Sequence, residues 1–333
     1  MTDMDPDLQP FNRLAPDEII NAVESTGYRC DGRVTALNSY ENRVYQVGIE
    51  DSPPLIAKFY RPGRWTDACI LEEHAFTGEL VAAELPVIHP LRNADGQTLF
   101  NTGIYRLALY PRVGGRAPEL DDPEHLLRLG RGVARIHNIG ATKPFSQRPV
   151  LSLDNEVTAP VHYLLGNAFI PDDLRSAFEA LAGWLQSSIL ACQSRAGVVT
   201  TLRLHGDCHI GNILWQADGP FFVDFDDART GPAIQDLWMF LSGDRPYMNA
   251  RLQDLLEGYT EFREFDPREL HLVEALRTMR MVHYAGWLAR RWEDPAFKQA
   301  FPWFNTQNYW ENLVLQLKEQ LALMDEPPLE ILN

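Results

Sequence analysis

The sequence predicts an α+β protein with two lobes, a small antiparallel-sheet N-lobe and a larger, mainly helical C-lobe. Its 333 residues exceed the size of one typical core. Short apolar runs of strand length fill the early part of the chain, whereas apolar residues recur at helical spacing after Pro123. We place the lobes at residues 1–110 and 111–333, because a connection rich in proline and glycine begins there, Tyr110-Pro111-Arg112-Val113-Gly114-Gly115-Arg116.

The apolar pattern also predicts the individual elements of the N-lobe. An amphipathic helix is expected over residues 16–26 and a second helix over residues 67–83. Strands are expected at residues 32–37, 43–49, 55–60, 105–109 and around Leu99. The N-lobe is therefore expected to be rich in sheet.

Lys58 lies inside the third predicted strand, on the same face as Ile56 and Tyr60. A lysine in a mostly apolar strand needs an anionic partner, although a solubilising lysine on an edge strand is the alternative. Glu72 and Glu73 of the following helix point about 100° apart, so one of them can pair with Lys58 and hold it toward a phosphate. We favour Glu73.

The turn between the first two predicted strands is polar, Asn38-Ser39-Tyr40-Glu41-Asn42. Its backbone N–H groups and the Ser39 hydroxyl could fold over phosphates. It contains no glycine, and an ordinary hairpin turn is the default interpretation.

The C-lobe is predicted to be helical from Pro123 onward. His137 lies on the apolar stripe of the first of these helices, where a packed core histidine is the expected role. Further helices are expected at residues 171–195, 236–241, 248–262, 269–292 and 309–324.

The most informative segment runs from residue 204 to residue 227. Two short apolar runs, at residues 213–215 and 221–223, flank an Asp-Gly turn, which predicts a β-hairpin. If the hairpin folds symmetrically about Asp218, position 212 lies across from position 224. The Asn212 amide and the Asp224 carboxylate then meet at its open end, and such oxygen ligands suit Mg²⁺.

Asp207 lies on the loop that precedes this hairpin, free to accept a proton from a hydroxyl nucleophile. The spacing of Asp207, Asn212 and Asp224 suits phosphoryl transfer from a magnesium nucleotide. Accidental turn-capping by three polar residues is one alternative. A zinc site that uses His205 and His209 with Asp207 is another.

Bulk composition narrows the classes of partner and compartment. The formal net charge of −16 argues against nucleic acid or an anionic membrane as the main partner. Residues 1–7 are acidic and do not resemble a signal peptide, and no run reaches the length of about 20 apolar residues that spans a bilayer. Four scattered cysteines without a C-x-x-C motif favour a reducing cytoplasm. We also expect a monomer.

The motif His205-Gly206-Asp207-x-His209-x-Gly211-Asn212-Ile213-Leu214, together with Asp224, resembles the aminoglycoside phosphotransferase and choline kinase group of kinase-like proteins. The resemblance implies a two-lobed fold related to that of protein kinases, with ATP as co-substrate and Mg²⁺ as cofactor. It implies that Asp207 is the catalytic base and that Asn212 and Asp224 bind Mg²⁺, which makes Asp224 catalytic as well.

The same resemblance implies roles for residues outside the motif. Lys58 is expected on the ATP phosphates, with Ser39 as a further ATP contact and Glu73 as the partner of Lys58. Asp236 is expected to brace the catalytic loop from the following helix.

Further blocks resemble one branch of this group, a cytoplasmic Ser/Thr protein kinase of the bacterial stress response. They include Lys58-Phe59-Tyr60-Arg61-Pro62, Ile70-Leu71-Glu72-Glu73-His74 and Arg290-Arg291-Trp292-x-Asp294-Pro295. The leading interpretation is an ATP- and Mg²⁺-dependent kinase acting on protein Ser/Thr hydroxyls. The alternatives are a small-molecule kinase of the same fold, acting on an alcohol or amino sugar, and a nucleotide-binding pseudokinase. The intact set of Lys58, Asp207, Asn212 and Asp224 argues against the last.

Overall fold

The computed structural model of the protein describes residues 10–331. The acidic segment at residues 1–7 lies outside the described residues. The helices and strands run, in chain order, α1 (Pro16–Glu24), β1 (Cys30–Ala36), β2 (Arg43–Ile49), β3 (Ser52–Tyr60), α2 (Asp67–Ala82), β4 (Phe100–Asn101), β5 (Arg106–Pro111), α3 (Pro123–Gly140), α4 (Ala159–Gly166), α5 (Asp172–Ala196), β6 (Thr201–Leu204), β7 (Ile213–Gln216), β8 (Gly219–Phe222), β9 (Arg229–Pro232), α6 (Arg245–Thr260), α7 (Val273–Arg291), α8 (Pro295–Ala300) and α9 (Gln307–Leu323).

The described chain divides into two compact units. The first unit contains the described residues up to Pro118, together with Phe145–Arg148 and Ile210–Ala228. The second unit contains Glu119–Pro144, Pro149–His209 and the chain from Arg229 onward. The predicted α+β class is confirmed, and the lobe boundary after residue 110 stays a prediction.

The first unit is built on a five-stranded sheet in the order β1-β2-β3-β5-β4, in which every neighbouring pair is antiparallel. Phe59 and Leu107 pair in register on β3 and β5 and are fully buried. Helix α1 adds Ile19 and Val23 to the same core. Lys58 lies on the central strand β3, so the edge-strand interpretation of this lysine is wrong.

The hairpin formed by β7 and β8 also belongs to the first unit, and its register differs by one residue from the prediction. Gln216 pairs with Gly219 and Ile213 pairs with Phe222, so the chain reverses over Ala217 and Asp218. Gly219 has φ +119° and already belongs to β8, which moves the centre of the turn half a residue toward the N-terminus. Position 212 therefore lies opposite 223 rather than 224.

The second unit is mainly helical, with a short antiparallel pair of β6 and β9. Helices α3 and α6 approach closely at glycine, since a Cβ on Gly130 would lie 2.0 Å from the Leu255 carbonyl oxygen. The predicted helix at 236–241 is wrong. Instead, one 3₁₀ turn ends at Asp236 (Ala233–Asp236) and a second spans Trp238–Phe240, with Leu237 between them at φ −105° and ψ −41°.

Within residues 10–331, no helix combines the length and the apolar character needed to cross a membrane.

Candidate active site

The loop that carries Asp207 in the second unit follows β6 and is held by Asp236. The Asp236 carboxylate accepts hydrogen bonds from the backbone N–H groups of His205 and Gly206, both at 2.8 Å. Gly206 has φ +86°, a conformation that favours glycine. His137 is fully buried, with Nε2 3.2 Å from the same carboxylate. The bracing role predicted for Asp236 and the core role predicted for His137 are both confirmed.

Asp207 follows this braced turn and carries two cationic or potentially cationic neighbours. Arg280 of α7 donates a hydrogen bond from Nη1 to Asp207 Oδ1, and His209 Nε2 lies 3.3 Å from Oδ2. Burial raises the pKa of Asp207, but the His209 hydrogen bond and the Arg280 guanidinium outweigh it and hold that pKa below its ordinary value. The carboxylate is therefore ionised and fixed in orientation.

Lys58 in the first unit is buried among carboxylates at the end of the hairpin. Its Nζ lies 2.9 Å from Asp224 Oδ1 and 3.2 Å from Asp226 Oδ1. Burial lowers the pKa of Lys58, but the two aspartates raise it well above its ordinary value. Lys58 is therefore positively charged and shielded from solvent.

Asp224 has a strained backbone and an open side chain. It adopts φ +60° and ψ +65°, the left-handed region that non-glycine residues rarely occupy and that is common at functional sites. Its side chain is 53% exposed. One residue earlier, the Val223 N–H donates to the Asn212 carbonyl oxygen at 3.0 Å, so Asn212 and Asp224 lie at the same end of the hairpin.

Asp226 is the anionic centre of a buried network in the first unit. It accepts hydrogen bonds from Arg64 and, at 3.2 Å, from the Asn42 amide, in addition to its contact with Lys58. Burial raises the pKa of Asp226, but the opposing effect of the Arg64 and Lys58 charges is larger. The pKa of Asp226 is therefore below its ordinary value. Sequence reasoning missed Asp226 and Arg64. The available signal was an aspartate standing where protein kinases have the glycine of Asp-Phe-Gly.

The two adjacent glutamates of α2 have different environments. Glu72 accepts backbone N–H bonds from Ser146, Gln147 and Arg148 at 2.6, 2.7 and 2.8 Å. Glu73 is buried, and its Oε2 has no hydrogen-bond partner within the described chain.

The pairing predicted between Glu73 and Lys58 is absent from this structure. The ion pairs of Lys58 within residues 10–331 go to Asp224 and Asp226 instead. Burial raises the pKa of Glu73 to about 7, against the opposing effect of the Lys58 charge. Glu73 as a cofactor-binding residue stays a prediction.

Arg148 connects residues 146–148, which are hydrogen-bonded to Glu72, with the loop that follows Asp224. Its Nε donates to the Ala228 carbonyl oxygen at 2.7 Å, and its Nη2 donates to the Asp226 carbonyl oxygen. The guanidinium lies 4.2 Å from the centre of the Trp65 ring. Sequence periodicity carries no signal for this residue.

Ser39 lies in the turn between β1 and β2, as predicted. Its hydroxyl accepts the Val44 N–H at 3.1 Å, which closes the turn. A direct role at ATP phosphates stays a prediction for this side chain.

The metal ligands proposed from the sequence are oxygen donors. Asn212 and Asp224 offer an amide oxygen and a carboxylate, which fits a hard cation that takes its other ligands from phosphate and water. A search of residues 10–331 finds no group of three or more His, Cys, Asp or Glu side chains that could hold a metal.

Comparison with known proteins gives a family match over most of the chain. The model of the phosphotransferase enzyme family matches residues 33–273. Stress response kinase A of Salmonella choleraesuis (strain SC-B67) is 45% identical over 321 residues, which cover 96% of this chain and 97% of that protein. The serine/threonine protein kinase RdoA of Salmonella typhimurium (strain LT2) has the same identity and coverage.

A solved structure shares the fold at low sequence identity. The amicoumacin kinase hAmiN, in complex with AMP-PNP, Ca²⁺ and Ami, superposes with a TM-score of 0.72 and 18% identity. The match covers 95% of this chain and 96% of that one.

Proposed function

The chain belongs to the phosphotransferase enzyme family, and from this premise we propose that it is an ATP- and Mg²⁺-dependent Ser/Thr protein kinase. Membership of the family confirms the resemblance that the motifs predicted. The observation that carries the proposal is the ionised Asp207 carboxylate on a loop braced through two backbone N–H groups by Asp236.

Asp207 acts as the base that accepts the proton of the attacking hydroxyl. Phosphoryl transfer requires little covalent chemistry from the protein, so that a positioned carboxylate and charge stabilisation suffice. The bracing by Asp236 supports this role, because it fixes the backbone at the two residues before Asp207.

Lys58 binds the ATP phosphates, with Asp226 as its standing counterion. Because Asp226 is buried beside Lys58, the lysine would keep an anionic neighbour if Asp224 held a metal. Asn212 and Asp224 would hold Mg²⁺, which neutralises charge on the phosphates when it is bound. Glu73 and Ser39 complete the proposed set of ATP-site residues.

Protein is the favoured substrate class, because the relatives at 45% identity over 96% of the chain are named as a stress response kinase and a serine/threonine protein kinase. The small-molecule kinase among the structural relatives is 18% identical and supports the fold alone. The same proposal places the enzyme in the cytoplasm, gives it a role in a stress response and makes it a monomer.

A labelling experiment tests this function. The full chain is incubated with radiolabelled ATP, Mg²⁺, a generic basic protein and a panel of amino-alcohols, with D207A as the matched inactive variant. We expect label on protein Ser/Thr residues, lost in D207A. Label on small molecules alone would assign the enzyme to the small-molecule kinases instead, and no transfer to any acceptor would contradict the proposal.

A further inference from the structure

Arg280 contacts the proposed catalytic base, although no motif points to it. It lies on α7, 73 residues from Asp207 in the chain. Its side chain is 44% exposed, whereas that of Asp207 is 22% exposed. A guanidinium has five N–H donors, and the contact with Asp207 Oδ1 engages Nη1. Arg280 therefore has donors that face solvent.

While Arg280 is hydrogen-bonded to Asp207, it hinders the proposed action of Asp207 as a base. A base accepts a proton through a carboxylate lone pair, and the hydrogen bond from Arg280 engages one oxygen of the Asp207 carboxylate. The adjacent positive charge also makes that carboxylate a weaker base. Efficient transfer requires a group that draws Arg280 away, and an anion is the group that attracts a guanidinium most strongly.

Three other basic side chains of α7 contact groups other than Asp207. Arg277 pairs with Glu274 at 3.1 Å and lies over the Trp238 ring. His283 lies 2.9 Å from Glu156. Arg290 lies over the Tyr163 ring. Among the ion pairs of the described residues, that of Arg280 is with Asp207 alone, so its exchange breaks no other ion pair of Arg280.

The charge of α7 favours an anionic partner. The helix contains four arginines and one glutamate, in a chain whose formal net charge is −16. From Arg280 the same face continues through Tyr284 and Trp287, whose rings stack 5.5 Å apart, to Arg291. This face has an arginine at each end and no acidic residue between them.

Resting on the proposed protein kinase function, we infer that Arg280 selects substrates with an acidic side chain close to the acceptor serine or threonine. The acidic group takes Arg280 from Asp207, and the freed carboxylate then accepts the hydroxyl proton. Arg280 thus couples recognition of the substrate to exposure of the base.

Peptide kinetics test this inference on the full-length enzyme. Each peptide carries one serine in a neutral frame, with Glu, Gln or Lys placed in turn at every position within three residues of it. The quantity measured is kcat/KM, compared between Glu and Gln peptides for wild type, R280Q, R280K and R280E. R128Q is the matched control, because Arg128 forms an exposed helix-surface pair with Glu124 and its side chain is 38% exposed.

For wild type and R128Q we expect a preference of about tenfold or more for Glu over Gln at one or more positions. R280Q should lose this preference, R280K should retain part of it, and R280E should favour the Lys peptides. R280K and R280E keep the test valid if R280Q folds poorly.

Two results overturn the inference while leaving the protein kinase function intact. One is a wild-type enzyme that labels Glu and Gln peptides equally. The other is a uniform fall in kcat/KM of R280Q on all peptides with the Glu preference unchanged, which would assign Arg280 to the fold or to the transferred phosphoryl group. Absence of label on every peptide and protein would overturn the function and the inference together.

Discussion

Two cation–carboxylate clusters of this protein differ in burial, one around Lys58 in the first unit and one around Asp207 in the second. The Lys58 and Asp226 side chains are 8% and 4% exposed, whereas those of Arg280 and Asp207 are 44% and 22% exposed. Removing one partner from a buried pair costs about 3–5 kcal/mol. An exposed pair contributes about 0–1 kcal/mol. The first cluster is therefore a fixed part of the fold, whereas the second can exchange partners.

Removal of Asp226 should have the largest effect on stability, if the first cluster is fixed. D226A leaves Lys58 and Arg64 buried without this anion, and we expect a loss of about 3–5 kcal/mol. The urea midpoint of unfolding measures it. D227N is the control, since Asp227 is 31% exposed and contacts Arg64 at 2.8 Å. Equal losses in the two variants would show that Asp226 stabilises the fold no more than the more exposed Asp227 does.

Substitution of Arg148 should have the second-largest effect on stability. R148M keeps side-chain bulk against Trp65 but removes the donors to the Asp226 and Ala228 carbonyls, at a cost of about 2 kcal/mol. We also expect a higher KM for ATP, because the loop that carries Asp224 loses this support. R106M, which removes the more exposed pair of Arg106 with Asp67, is the control for both measurements. Unchanged stability and KM in R148M would show that Arg148 does not support the loop that carries Asp224.

Glu72 should have the smallest effect, and one that depends on pH. Burial raises the pKa of Glu72, but hydrogen bonds from the N–H groups of Ser146, Gln147 and Arg148 have the larger, opposite effect. The pKa of Glu72 is therefore below its ordinary value. A carboxylate with a lowered pKa stabilises the fold above its unfolded pKa, and the contribution disappears as pH falls through the folded pKa. E72Q should therefore cost about 1 kcal/mol at pH 7 and progressively less below pH about 4.

Thermal midpoints of wild type and E72Q, measured from pH 7 downward, test this dependence. E124Q removes an exposed carboxylate on α3 that pairs with Arg128 and provides the reference. A gap between wild type and E72Q that stays constant with pH would show that the charge of Glu72 is irrelevant.

Local patterns predicted the elements that carry the site. The strand at residues 43–49 and the start of α2 at Asp67 follow from apolar spacing alone, and both have the predicted positions. The hairpin was also predicted, but its register was not. Register depends on the residues at which the chain reverses. Gly219, with its positive φ, already pairs with Gln216 in β8, whereas symmetry about Asp218 would pair Gln216 with residue 220.

The contacts that tune the site lay outside any local pattern. Arg280 meets Asp207 across 73 residues of sequence, and Arg148 meets Asp226 across 78. An arginine on an amphipathic helix has the same sequence signature whether it faces solvent or a catalytic carboxylate. Apolar spacing likewise gave no sign that the aspartates following β8 would form the ion pairs of Lys58 in this structure.

In the proposed function, Asp207 accepts the proton of the acceptor hydroxyl, whereas the buried cluster around Lys58 binds the nucleotide. The most direct test measures ATP–Mg²⁺ affinity and single-turnover phosphoryl transfer in D207N beside wild type. We expect an affinity within about twofold of wild type and a transfer rate lower by about 10³-fold. Transfer at a rate near wild type, or loss of ATP affinity in parallel with rate, would contradict it.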